Sequence, residues 1–215
     1  MSRIAVLGVG RVGSTLARAA LAAGYRVSVA SSAPADQIAL LTEVVIPGAI
    51  AKDARDAVAD ADVVILAVPL HKHTSIDAST LTGKVVVDAM NYWAPTDGAL
   101  EAFEGDQRSS SEIVADHFAG ARLVKAFNHI GYHHMEEDAT PRGTPNRRAL
   151  AVASDHGDAA VTIADLVDRI GFDAVLSGPL ATGAAFEPGT AIFNGSFTAS
   201  ELADALNLDT ARIAS

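Results

Sequence analysis

Residues 8–13 read Gly8-Val9-Gly10-Arg11-Val12-Gly13, three glycines in the spacing G-x-G-x-x-G, directly after the apolar run Ile4-Ala5-Val6-Leu7. A helix-period segment follows at 12–23, Gly24 closes it, and 25–30 reads as a second strand. The motif carries little weight by itself. Set between a strand and a helix, in a βαβ unit of about thirty residues, it has the context that a dinucleotide site requires. The first glycine permits the tight turn, the second lets a pyrophosphate approach the backbone, and the third lets helix and strand pack closely. The helix start then offers unpaired N–H groups and the positive end of its dipole.

The same alternation runs on. A helix is expected at about 35–41, a short strand near 49–51 and a helix from about 53 to 59. Segments 62–68 and 84–88 are unbroken apolar runs, as strands covered on both faces are, which points to a parallel sheet between layers of helices. Ser109-x-x-Glu112 is a capping box opening a helix to about 118, and 122–127 is another strand. Residues 128–147 hold Gly131, Pro141, Gly143 and Pro145 with little periodicity, and read as a long functional loop. A strand at 149–153, a helix at about 158–170 and a strand at 173–177 come next. Gly178-Pro179 breaks the chain, and Thr198-x-x-Glu201 starts a last helix. The expected fold is α/β, a doubly wound Rossmann-type parallel sheet with a small C-terminal αβ extension.

Composition narrows the function. Acidic residues outnumber basic ones 26 to 16, and the net charge of −10 repels phosphate backbones and anionic membranes, so neither nucleic acid nor membrane is an expected partner. The absence of cysteine excludes disulfides, thiolate-bound zinc and a cysteine nucleophile. Gly8 comes too soon for a secretory signal, and no apolar run approaches the roughly 18 residues of a membrane span. A soluble, cytoplasmic protein is the expectation.

NAD sites usually place Asp or Glu at the end of the second strand, where it bonds the ribose 2′-hydroxyl. Here Ala30-Ser31-Ser32 stand in that place, with no carboxylate before Asp36. The hydroxyl pair adds donors without repulsion and suits a 2′-phosphate, so NADP is favoured, with NAD as the alternative. A phosphate site normally supplies Arg or Lys too, and Arg11 is the local candidate.

Further segments join this start: Asp62-Val63-Val64-Ile65-Leu66-Ala67-Val68-Pro69, Gly83-Lys84-Val85-Val86-Val87-Asp88, Ser109-Ser110-Ser111-Glu112, Val124-Lys125-Ala126-Phe127-Asn128, Gly171-Phe172-Asp173 and Ser177-Gly178-Pro179-Leu180. In this order the chain resembles the NADP oxidoreductases that use the deazaflavin coenzyme F420, from residue 3 to about residue 188. The resemblance implies a dinucleotide-binding Rossmann domain over 1–127 and a smaller acceptor-binding portion over 128–215, which can pack as one with the first. It implies hydride transfer between NADP(H) and a deazaflavin or flavin-like acceptor, with coenzyme F420 as co-substrate. Gly8, Val9, Gly10, Arg11, Val12 and Gly13 would cradle the pyrophosphate, and Ser31 with Ser32 would meet the 2′-phosphate. Val68, Pro69, Met90, Asn91 and Asn128 would lie along the nicotinamide, with His129, Ile130, Pro179 and Leu180 facing the acceptor. No side chain is expected to act as a catalytic acid or base. Family members usually carry basic residues just after the strand-two serine, where this chain has Ser32 and Asp36. A homodimer is expected, with residues 181–186 as the candidate contact.

Two other functions fit the same front half. One is an NAD(P)H-dependent reductase of a small carbonyl or imine, although such enzymes usually carry a long helical C-terminal domain. The other is a non-catalytic dinucleotide-binding redox sensor. His129-x-x-x-His133-His134 and His71-x-His73 lack the zincin glutamate and read as loop histidines, so no metal is expected; His71 and His73, just after Pro69, are placed either to touch the cofactor or to cap the next helix. Tyr92-Trp93 follow a strand's carboxyl end, where a flat ring could pack, and Arg147-Arg148 offer charge to an anionic acceptor tail.

Overall fold

The computed structural model describes residues 2–104 and 108–208. Its first half runs β1 (Arg3–Leu7), α1 (Arg11–Ala22), β2 (Arg26–Ala30), α2 (Ala35–Val45), β3 (Ile50–Ala51), α3 (Ala54–Asp60) and β4 (Val63–Leu66). Two 3-10 turns, Leu70–Ser75 and Ala78–Leu81, lead to β5 (Val85–Asp88), the short helices α4 (Ala94–Asp97) and α5 (Glu101–Glu104), then α6 (Ser110–His117) and β6 (Arg122–Lys125). After α7 (Tyr132–Glu137) come β7 (Ala149–Ala153), α8 (Gly157–Ile170), β8 (Asp173–Gly178), a 3-10 stretch Leu180–Phe186, and α9 (Ala199–Ala205). Among the described residues no helix is long and apolar enough to cross a membrane.

Among the described residues, eight strands join one sheet in the order β3-β2-β1-β4-β5-β6-β7-β8. The unbroken apolar runs are explained by coverage on both faces. Ile4, Val6, Val63, Ile65, Val85 and Val87 feed one core, while Ala5, Leu7, Val64, Leu66 and Val86 feed the other. Each strand of the run therefore needs apolar residues at every position. Both expected capping boxes form, Ser109 with Glu112 and Thr198 with Glu201.

The sheet is parallel from β3 to β6, and β7 then runs antiparallel to β6. The registered pair is Lys125 with Ala153, the last residue of each strand. Two antiparallel strands that meet only at their last residues are slid past each other, so β7 and its parallel partner β8 rise beyond the carboxyl edge of β6. A third core, with Phe186, Ile192 and Leu202, fills the space beside this raised pair.

The 128–147 segment is more ordered than its sequence pattern predicts. It contains α7, whose Met135 is buried while Arg18 of α1 pairs with Glu136 at 2.5 Å. A six-residue helix offers less than two turns, too few for a period to show, and packing rather than propensity holds it.

Candidate functional site

The sequence reverses direction in the sheet between β1 and β4, and ligands of open α/β sheets bind outside the carboxyl ends of strands at such a switch point. The glycine loop sits there. Gly8 has φ +112° and donates its N–H to the Ala30 carbonyl at 2.8 Å. A Cβ at Gly8 would strike the Ala67 carbonyl, and one at Gly13 would fall on the Gly8 carbonyl. A Cβ at Gly10 would meet nothing within 4 Å. Two of the glycines are thus demanded by the backbone, and the middle one borders open space where a ligand can come close. Gly10 also caps α1 without a side-chain bond, and the first turn of α1 has no acidic residue, so its N–H groups face that space uncompensated.

A cavity of about 800 Å³ opens from this loop. Gly8, Val9, Gly10, Ser31, Ser32, Val68 and Pro69 line it together. The Ser31 hydroxyl accepts the Ala33 N–H at 3.0 Å, which fixes the turn after β2. Arg11, Val12 and Gly13 belong to the first turn of α1 and do not line the cavity. The Arg11 guanidinium is turned toward α7, donating to the Tyr132 hydroxyl at 3.0 Å and lying 5.6 Å from its ring centre.

Met90, Asn91 and Asn128 do not line this cavity either; they cluster at the next two strand ends. Phe127 has φ +64°, uncommon for a bulky residue, and turns the chain at the end of β6. Asn91 Nδ2 donates to the Asn128 carbonyl at 2.6 Å, and Asn128 Nδ2 donates to Asn91 Oδ1 at 3.3 Å and to the Phe186 carbonyl at 3.1 Å. Beneath this clasp lies a buried ionic group. Lys125 Nζ donates to Ser110 Oγ at 3.0 Å, Ser111 Oγ at 2.9 Å and Glu187 Oε1 at 2.9 Å. Ser111 in turn donates to Asp88 Oδ2 at 2.6 Å, and the Met90 N–H donates to Asp88 Oδ1 at 2.9 Å. Burial pushes the Asp88 carboxyl up, with the Lys125 charge opposing it.

The residues expected to face the acceptor are placed differently. His129 is buried, its Nε2 accepts the Ala151 N–H at 2.9 Å, and its ring packs edge-on against Phe186 at 5.4 Å. The turn after β6 places His129 beside β7, and the imidazole satisfies a strand N–H that would otherwise be orphaned. Nδ1 therefore carries the proton of the neutral ring. Burial, then the Arg148 charge, lowers the pKa to about 4. Ile130 and Leu180 also point into the core, and only Pro179 of the four is exposed. Arg147 and Arg148 are spent on structure. Arg147 is buried and binds Asp168 at 2.7 Å and Asp173 at 2.9 Å, and Arg148 binds Asp138 at 2.5 Å.

Beside these strand ends, residues 92–104 fold back over the surface. Tyr92 stacks on Phe103 at 5.5 Å, and Asp97 accepts from the His71 ring at 2.9 Å and the Trp93 N–H at 3.0 Å. Burial works to raise the Asp97 carboxyl, but the bonds from His71 and Trp93 outweigh it and hold it low. Trp93 itself remains half exposed.

A family model described as NADP oxidoreductase, coenzyme F420-dependent, matches residues 3–92. The hypothetical protein SMa0349 from Sinorhizobium meliloti is 30% identical over 92% of this chain and 96% of its own, with a TM-score of 0.78. A candidate F420-dependent NADP-reductase from Arthrobacter sp. FB24 is 25% identical, with a TM-score of 0.72 and coverage of 86% of this chain and 89% of that one. The chain belongs to the coenzyme F420-dependent NADP oxidoreductases. It is an NADP-dependent oxidoreductase built on a Rossmann-type sheet. An imine reductase from Bacillus cereus shares the fold at 19% identity and a TM-score of 0.60, and this chain spans 57% of its length. No curated protein matches the sequence.

Sequence reasoning missed several residues that line this oxidoreductase's cavity, among them Arg55, Lys72, Asp77 and Thr80. A usable signal existed for Arg55. Strand order 3-2-1-4 puts the β3–α3 junction beside the end of β2, so a side chain at the second position of α3 reaches the space before Ser31 and Ser32. For Lys72 and Asp77 no such register exists, because both lie in irregular chain after β4.

Proposed function

We propose that the chain passes hydride between NADP(H) and coenzyme F420 or a flavin-like acceptor. The observation that carries the reading is the glycine loop opening on a roomy cavity at the switch point, in a chain whose family is described by that coenzyme. The residues fit the nucleotide: two glycines hold the turn, the third leaves room for phosphate, and the α1 N–H groups face it. The bound nicotinamide supplies or accepts the hydride. The chain's own share is orientation and exclusion of water, because transfer between two such rings is their own chemistry. Holding the two rings in contact lowers the barrier by roughly 7–11 kcal/mol through pre-paid entropy.

In this reading the Rossmann part, 1–127, holds the nucleotide, and 128–215 helps to cover the acceptor. The raised β7–β8 pair and the half-exposed Trp93 support that division, since both stand at the carboxyl edge. Asn91 and Asn128 hold each other at the strand ends, against which the nicotinamide would lie. The protein works in the cytoplasm as a homodimer. Phe186 of the segment expected to make the contact is buried, whereas Leu40, Leu41, Val44 and Ile50 are exposed together on α2 and β3 and give the dimer its apolar surface. Adding oxidised coenzyme F420 to protein with NADPH, and separately with NADH, tests the reaction by absorbance. Bleaching of the deazaflavin band with NADPH supports it. Nucleotide binding with no turnover on F420, but turnover on an imine or carbonyl, would replace the acceptor.

A further inference from the structure

We propose that Arg55 is the cation that reads the 2′-phosphate of NADP(H), and that Asp77 holds it across the cavity until the nucleotide arrives. The inference rests on the cavity being the nucleotide site. Chain after β2 supplies hydroxyls there but no positive charge, since Ser31 and Ser32 are followed by Ala33, Pro34, Ala35 and Asp36. A phosphate dianion held by neutral donors alone is held weakly, and charge-assisted bonds are about twice as strong. The charge must come from elsewhere on the cavity wall.

Arg11 is directed to Tyr132 and does not line the cavity, which leaves Arg55 and Lys72, among the described residues, as the basic side chains that do. Arg55 is the better placed, because it is tied to the serine turn. Asp53, two residues before it, accepts the Ala35 N–H at 2.9 Å, locking the start of α3 to the start of α2. The guanidinium is also available. Among the described residues its one partner is Asp77 at 3.3 Å, and the two side chains are 78% and 52% exposed. One contact engages a single donor of the five that a guanidinium carries.

Asp77 keeps its place without Arg55. Its Oδ1 accepts from Ser79 N at 3.1 Å and Ser79 Oγ at 2.6 Å, as the cap of the Ala78–Leu81 turn. Arg55 can therefore leave a fixed carboxylate for a phosphate that offers more charge and fork-shaped geometry, without disturbing the wall. Lys72, on the Leu70–Ser75 turn, adds a second, point-like charge. An alternative task for Arg55, stacking on the adenine ring, would serve NADPH and NADH equally.

Calorimetric titration of the wild type, Arg55→Gln and Arg55→Lys with NADPH and with NADH separates these roles. Loss of a charge-assisted contact is expected to lower the NADPH-to-NADH affinity ratio about tenfold to a hundredfold in Arg55→Gln, with partial recovery in Arg55→Lys. Adenosine 2′,5′-bisphosphate should follow NADPH, and 5′-AMP should follow NADH. An unchanged ratio, whether through no loss or through equal loss of both nucleotides, overturns the assignment. Failure of the wild type to bind either nucleotide would instead overturn the cavity's reading, and the assignment with it.

Discussion

Two ionic groups flank the carboxyl edge of one sheet and are built in opposite ways. At the switch point, Arg55 and Asp77 meet across open space, with most of both side chains in solvent. Two strands away, Lys125 is wholly buried and shares its three donors among Ser110, Ser111 and Glu187, with Asp88 one hydroxyl further on. Exposed pairs contribute little to stability and exchange partners freely. A buried charge that loses its partner is costly, so a buried group fixes geometry. The open pair is suited to meeting a ligand and the closed one to holding the strand ends still beneath it.

Removing the buried cation tests the closed side most severely. Lys125→Met keeps the apolar stem but leaves Asp88 and Glu187 with neutral donors only, the hydroxyls of Ser111 and Ser110 and the backbone N–H groups of Met90 and Ser110. A loss of about 3–5 kcal/mol in urea unfolding is expected. A loss below about 1 kcal/mol, the range of exposed pairs, would erase the contrast between the two regions.

His129 gives the closed side a pH signature. The unfolded chain binds the proton near the ordinary imidazole value of about 6.5, and the folded chain only near the lowered value of about 4. Between these values the unfolded state binds more protons, so stability falls as the pH drops through the window and is constant above it. By pH 5 the wild type should lose about 2 kcal/mol relative to pH 7 that His129→Gln does not lose, its amide oxygen still accepting the Ala151 N–H. Parallel stability profiles of the two proteins from pH 7 to pH 5 would show that the ring charges without cost.

The contrast also explains what could be read in the sequence. The Gly8–Gly13 loop, the apolar runs of β4 and β5 and both capping boxes are local patterns, and each forms where expected. The reversed, raised β7 is not local. It follows from a single register with Lys125, and through it His129 turns inward to serve Ala151. Arg147 and Arg148 look like free charge in sequence because their carboxylates, Asp138, Asp168 and Asp173, are brought to them only by folding. α7 was hidden by its length.

Within the glycine loop the two demands, on backbone and on ligand, can be pulled apart. Gly13→Ala forces a Cβ onto the Gly8 carbonyl and should cost about 1–3 kcal/mol of stability, as other overpacking does. Gly10→Ala meets open space at φ −74°, a value any residue adopts, and the stiffer unfolded chain offsets the poorer N-cap, so stability should stay within about 1 kcal/mol. Its methyl group nevertheless occupies the approach to the α1 N–H groups, and NADPH affinity should fall by about tenfold or more. Equal stability losses in the two variants would mean that both glycines serve only the turn.

The smallest effect is expected from the open pair itself. Asp77→Asn keeps an oxygen for the Ser79 N–H and so keeps the turn, but releases Arg55 from its charged partner. The melting temperature should not move, because the pair is exposed and its carboxylate is held low by Ser79 before Arg55. NADPH affinity should rise by about threefold at most, since the guanidinium no longer has to leave a carboxylate. The gain should shrink as salt is added, because solvent-facing charges are screened over about 10 Å at 0.1 M. A melting temperature that fell with no gain in affinity would place Asp77 with the buried, shape-holding charges, and the two flanks of the sheet edge would then be built alike.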